Sequence, residues 1–163
     1  MKLLVVFDLD LTLWDCEDIS STVPPYLRIS KDIIADSNGR LIMLREGVRE
    51  LLTWLKGLGA TLAVVSWNVK WKALEALKGL GVKDYFDYII VEPHPRKDIM
   101  FMKLLSAVGK VDRAYFIDDN RTMVELVKRA YPWVRTLTYL NEVRTMREIK
   151  EVLRRELKVK EGL

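Results

Sequence analysis

The chain has one cysteine, Cys16, among 163 residues, so no intramolecular disulfide can form and packing alone must hold the fold together. That scarcity suits a reducing compartment, and a cytoplasmic location is expected. No apolar run approaches the roughly 18 residues needed to cross a bilayer. The apolar opening, Leu3-Leu4-Val5-Val6-Phe7, meets Asp8 at once with no small-residue cleavage site after it, so no secretory leader is expected. There is no internal repeat, low-complexity tract or long linker. Nor does one sign of charge dominate: 27 lysines and arginines against 23 aspartates and glutamates leave a net +4. Much of the excess falls late, in residues such as Arg144, Arg147, Arg154 and Lys160, interleaved with acids as on a solvated helix face. Nucleic acid is therefore a disfavoured partner, and no membrane association is expected.

The chain does have enough apolar residues, 50% of the total, to bury one sizeable core, and its length fits one domain over residues 1–163. Leu3 to Phe7 is a continuous apolar run of the kind buried on both faces of a parallel sheet. Residues 46–58 place Val48, Leu51, Leu52, Leu55 and Leu58 three and four apart, a helical stripe. Further strands are predicted over 60–65, 88–91, 114–117 and 133–140, and helices over 69–80, 98–108, from 118 to about 130, and over 142–158. This alternation predicts an α/β fold: a three-layer, doubly wound, mainly parallel sheet, with ligands beyond the carboxyl ends of its strands. Residues 14–45 break the rhythm. Asn38-Gly39 between two apolar runs signals a hairpin, so a small β-flap is predicted over about 27–45.

Polar clusters close three of the predicted strands: Asp8-Leu9-Asp10-Leu11-Thr12, Ser66-Trp67-Asn68 and Asp118-Asp119-Asn120. Lys97 opens the helix after the strand predicted over 88–91. A parallel sheet would bring all four to one crevice. Carboxylates so gathered repel one another unless a cation intervenes, and an all-oxygen set suits Mg²⁺. Taken alone, Asp119 or Asn120 reads equally well as the cap of the following helix.

These motifs, in this order, resemble those of the haloacid dehalogenase superfamily of phosphotransferases. Asp8-x-Asp10-x-Thr12 matches its first signature, followed by a strand ending in Ser66, by Lys97, and by a strand ending in Asp118-Asp119. With Trp14 included, the first motif resembles the capless magnesium-dependent phosphatase branch. The likeness implies a Mg²⁺-dependent phosphatase in which Asp8 attacks phosphorus to form an aspartyl-phosphate. It implies Mg²⁺ held by Asp8, the carbonyl of Asp10 and Asp118, with Asp119 reaching the metal through water. Lys97 would neutralise the transferring oxygens, and Thr12 would brace the turn. Ser66, with the backbone N–H groups of Trp67 and Asn68, would hold the phosphoryl group. Asp10 would protonate the leaving group and then activate water. Relatives that cleave carbon–halogen bonds lack that second aspartate, so its presence argues for a phosphatase.

Neither Thr12–Ser66 nor Ser66–Lys97 has room for a cap domain, so an open site is expected. Such a site suits a phosphorylated small molecule, a phosphotyrosine-type group, a sugar phosphate or an exposed phosphoprotein side chain. A nucleic-acid end phosphatase keeps the chemistry but finds no strand-tracking basic run here. A non-enzymatic phospho-accepting signalling module would leave Asp10 without use. Trp14 and Trp67 adjoin motifs and could stack on substrate, although core packing is the commoner fate of tryptophan. His94, in a proline-flanked loop, is expected to face solvent, and Cys16 to be a small buried residue. The oligomeric state is open.

Overall fold

The computed structural model describes residues 1–159, and residues 160–163 of the expected domain lie outside them. Leu3–Phe7 forms β1, buried along its whole length, as its unbroken apolar run predicts. The chain continues through a flap of three strands, β2 (Leu27–Ser30), β3 (Ile33–Ala35) and β4 (Leu41–Met43). It then alternates α1 (Val48–Gly57), β5 (Thr61–Trp67), α2 (Lys70–Gly79), β6 (Tyr88–Glu92) and α3 (Lys97–Val108). The last elements are β7 (Arg113–Asp118), α4 (Arg121–Ala130), β8 (Arg135–Thr138) and α5 (Met146–Leu157).

The main sheet runs β6-β5-β1-β7-β8 and is parallel throughout. Side chains alternate across it, and each face has its own core. Leu3, Val5 and Phe7 face α1, α2 and α5 through residues such as Leu55, Ala76 and Ile149. Leu4 and Val6 face α3 and α4 through Phe101, Leu104 and Val127. The chain winds outward from β1 to β5 and β6, then returns to β1's other side as β7. This reversal opens a crevice at the carboxyl end of β1, the place such sheets use for ligands.

Two local expectations need correction. The flap is a three-stranded antiparallel sheet, not one hairpin, because Lys31-Asp32 splits the first apolar run. The turn around Asp36 to Gly39 does join two of its strands, β3 and β4. Asp36 accepts the N–H groups of Asn38 and Arg40 at 3.0 and 2.8 Å, and Gly39 takes a φ of +80° that a side chain would resist. At the far end, β8 stops at Thr138 and α5 starts only at Met146. There Thr145 accepts the Glu148 N–H (3.0 Å) while Glu148 reaches back to the Arg144 N–H (2.7 Å), a reciprocal cap that fixes where the helix begins. Among the described residues, no helix is long and apolar enough to cross a membrane.

Candidate active site

Adjacent parallel strands place the ends of β1 and β7 side by side, with Phe7 paired to Ile117. Asp8 and Asp118 therefore emerge together, both buried. Carboxylate oxygens of Asp8, Asp118 and Asp119 all lie within 4.8 Å of one another. Lys97, at the start of α3, reaches in and donates to Asp8 Oδ1 (2.8 Å) and Asp118 Oδ2 (2.6 Å), with its own side chain only 4% exposed. Three carboxylates around one ammonium leave a net negative, oxygen-only donor set. That set fits a hard divalent cation such as Mg²⁺ and has no ligand for a softer metal.

Thr12 joins the two strand ends. Its Oγ1 lies 3.2 Å from Asp8 Oδ2 and 3.0 Å from Asp119 Oδ1, and accepts the Asp119 N–H at 3.1 Å. Asn120, not Asp119, caps α4, accepting the Met123 N–H at 3.3 Å. Asp119 is thus free of capping duty and turned toward the carboxylate cluster.

Asp10 sits apart from the three grouped carboxylates. Its Oδ1 accepts from Trp14 Nε1 (2.7 Å) and the Ile19 N–H (3.1 Å), and its Oδ2 from Asn68 Nδ2 (2.7 Å). The two aspartates of the first motif thus face different surroundings, Asp8 a lysine and Asp10 an indole, an amide and a main-chain N–H. Between them and Thr12, Leu11 adopts a left-handed φ of +60°, which costs a non-glycine residue about 1 kcal/mol or more.

Burial sets the ionisation of the cluster. It raises Asp10 to about 7, with the nearby Asp8 charge adding and the Trp14 hydrogen bond opposing. It raises Asp119 to about 6, again with help from Asp8. Asp118 is pushed up by burial and by Asp8, against the pull of Lys97. Burial works against the Lys97 charge too, but Asp8 and Asp118 outweigh it and hold the ammonium above its usual range. A carboxyl raised by burial at a strand-end crevice is a common mark of an acid–base group.

Ser66 is buried at the end of β5, and Trp67 and Asn68 follow it to the same edge. The Asn68 N–H, expected to face a phosphoryl group, instead donates to the Glu92 carbonyl at 3.0 Å. The Asn68 side chain holds Asp10. Trp67 is 54% exposed, contrary to the preference for core packing, because it stands at the open strand tip. Trp14 is fully buried, and its ring nitrogen is committed to Asp10. His94 is half-exposed and bonds Glu92 at 3.0 Å, and Cys16 is buried. A cavity of about 340 Å³ adjoins Asp10, lined by Glu17, Asp18, Ser20, Trp67, Asn68 and Pro93 among others. The hold of Trp14 and Asn68 on Asp10 was not legible from spacing alone.

The chain matches the Acid Phosphatase family profile over residues 1–131. It is 29% identical over 129 residues to human magnesium-dependent phosphatase 1, covering 77% of this chain and 72% of that protein. Among solved structures it superposes on a haloacid dehalogenase superfamily hydrolase from Ehrlichia chaffeensis with a TM-score of 0.69 and 18% identity, over 94% of this chain and 96% of the other. It also superposes on the N-terminal part of a Bacteroides fragilis protein with a phosphatase domain, solved with Mg. There the TM-score is 0.59 at 20% identity, over 89% of this chain and 41% of that one.

Proposed function

This chain belongs to the acid phosphatase family, and from that membership we propose that it hydrolyses phosphate monoesters through an aspartyl-phosphate on Asp8, with Mg²⁺ as cofactor. Its fold is the capless haloacid dehalogenase core: only the flap and α1 lie between Thr12 and Ser66, and only α2 and β6 between Ser66 and Lys97, apart from short turns. The observation that carries the proposal is the junction of Asp8, Asp118, Asp119 and Lys97 at the end of two neighbouring strands.

An Asp8 oxygen attacks phosphorus as the phosphorus–oxygen ester bond breaks, and Asp10 gives its proton to the departing oxygen. Water then attacks the acylphosphate phosphorus. Asp10 takes the water's proton, inorganic phosphate leaves, and Asp8 is restored. A carboxyl titrating at about 7 is matched to both jobs near neutrality. Asp8, Asp118 and the Asp10 carbonyl would hold Mg²⁺, with Asp119 reaching it through water, and the ion would supply positive charge to offset the repulsion between Asp8 and a dianionic phosphate. Lys97 adds a fixed charge beside Asp8. Thr12 keeps Asp8 and Asp119 in register. Ser66 and the Trp67 N–H contact the phosphoryl oxygens, and Asn68 contributes by holding Asp10. We assign residues 1–163 to one domain.

The leaving group occupies the cavity beside Asp10. Its size and openness suit a phosphorylated small molecule, such as a sugar phosphate, or an exposed phosphotyrosine-type side chain. Glu17 and Asp18 on its wall repel a second phosphate, which counts against nucleic-acid ends. The lone buried Cys16 suits the reducing cytoplasm, the compartment we assign. Phosphate release from phosphotyrosine, sugar phosphates and 3′-phosphorylated oligonucleotides, with Mg²⁺ and with chelator, tests the reading. Mg²⁺-dependent turnover that disappears in Asp8→Asn is expected. Turnover indifferent to either change would overturn it.

A further inference from the structure

A cavity of about 660 Å³ opens between the starts of α1 and α5. Arg144, Arg147 and Lys150 on its walls are interleaved with Glu46, Glu50 and Glu151, so its charge is mixed and does not define an anion site. One of its lining residues, Arg45, has a more specific place. The Arg45 N–H donates to the Leu13 carbonyl at 2.8 Å, and its Nη2 donates to the Leu11 carbonyl at 2.9 Å. Main chain and side chain of one residue thus grip the loop between the paired aspartates and Trp14. Leu11 is the residue in the left-handed conformation, directly after Asp10, and its carbonyl has no other hydrogen bond among the described residues.

Arg45 also reaches the second strand end. Its guanidinium carbon lies 5.6 Å from the centre of the Tyr139 ring, and the Tyr139 N–H donates to the Asp118 carbonyl at 2.9 Å. The bracket therefore spans the loop that carries Asp8 and Asp10 and the turn beside Asp118. It leaves the Arg45 Nε buried without a partner among the described residues. A buried donor with no acceptor is a cost that packing alone would not select.

Resting on the phosphatase reading above, we propose that Arg45 is a positioning residue, clamping Leu11 in its strained conformation and so holding Asp10 in line with the ester oxygen that departs as Asp8 attacks phosphorus. Released from the clamp, Leu11 relaxes toward ordinary backbone angles and strains against the three hydrogen bonds that hold the Asp10 carboxylate, shifting it, whereas the groups around Asp8 and Lys97 keep their own contacts. The loss therefore falls on the chemical step rather than on binding.

Arg45→Met keeps the stem and removes the guanidinium. Its kcat is expected to fall about tenfold or more with KM within about twofold of wild type, since a displacement of an ångström costs up to about a hundredfold. Arg45→Lys, with one donor that can reach Leu11, should recover part of that loss. In Arg45→Ala, millimolar guanidinium entering through the 660 Å³ cavity should restore part of kcat. Should Arg45→Met fail to fold, the same kcat and KM are read in Arg45→Lys. An unchanged kcat overturns the proposal. So does a loss that neither lysine nor guanidinium relieves, or one that tracks the unfolded fraction. Wild-type protein inactive with Mg²⁺ would instead overturn the phosphatase reading.

Discussion

Lys97 is the one cation among three carboxylates, and removing it gives a sharp test of the charge balance at the site. Lys97→Met conserves the buried stem, so the change is almost wholly electrostatic. The Lys97, Asp8 and Asp118 side chains are 4%, 8% and 0% exposed, so solvent does little to screen what remains. Breaking a buried pair by removing one partner costs about 3–5 kcal/mol. For a chain of this length each kcal/mol moves Tm by about 2–4 °C, which puts the expected fall at about 6–20 °C in metal-free protein at about pH 8. The deficit should shrink at about pH 5, where Asp118 and Asp119, both raised, take up protons and stop repelling Asp8. Saturating Mg²⁺ should raise Tm more in the variant than in wild type, since it replaces the missing positive charge. Thermal unfolding followed by circular dichroism, at both pH values with chelator or Mg²⁺, reads all three effects. A Tm deficit that is the same at both pH values, with equal Mg²⁺ response in the two proteins, would refute the charge-cluster reasoning.

Asp10→Asn should keep the Mg²⁺-induced rise in Tm, because its carboxyl lies outside the grouped oxygens, yet lower kcat by about 10²–10⁴; equal loss of metal binding would make Asp10 a structural ligand. In wild type the protonated Asp10 is present below about pH 7, so the rate of leaving-group departure should fall as pH rises through that value, and the residual activity of Asp10→Asn should lack this limb. Metal-free stability should fall as pH rises from about 4 to about 7, because Asp10 and Asp119 hold protons more tightly folded than unfolded. Mg²⁺ should flatten that slope, and melting curves across the range will show whether it does.

The apolar run of β1 and the helical stripe of α1 made the layered fold legible, because burial on both faces and on one face leave different periodicities. The spacing Asp8-x-Asp10-x-Thr12 with Lys97 and Asp118-Asp119 made most of the site legible, since a parallel sheet brings its strand ends to one edge. What stayed hidden depends on contacts between distant segments. Thr12 meets Asp119 only because β1 and β7 are neighbours, and Asn68 meets Asp10 only because β5 lies on β1's other side. Arg45 meets Leu11 and Tyr139 only through the fold. Trp67 reads as core from its size, whereas its place at an uncovered strand tip leaves it in solvent. The third flap strand is hidden in the sequence because Lys31-Asp32 carries no glycine or proline to mark the turn.

The central strand has a consequence for how the protein fails. β1 is hydrogen-bonded on both sides and sealed above and below by separate cores, so its amide protons should be among the slowest to exchange. Asp8 follows β1 directly and its own N–H donates to the Ile117 carbonyl at 2.9 Å. Frayed termini or a loosened flap leave that anchorage untouched, so heating should abolish turnover in one step, together with the whole molecule, and not by gradual erosion of the reactive groups.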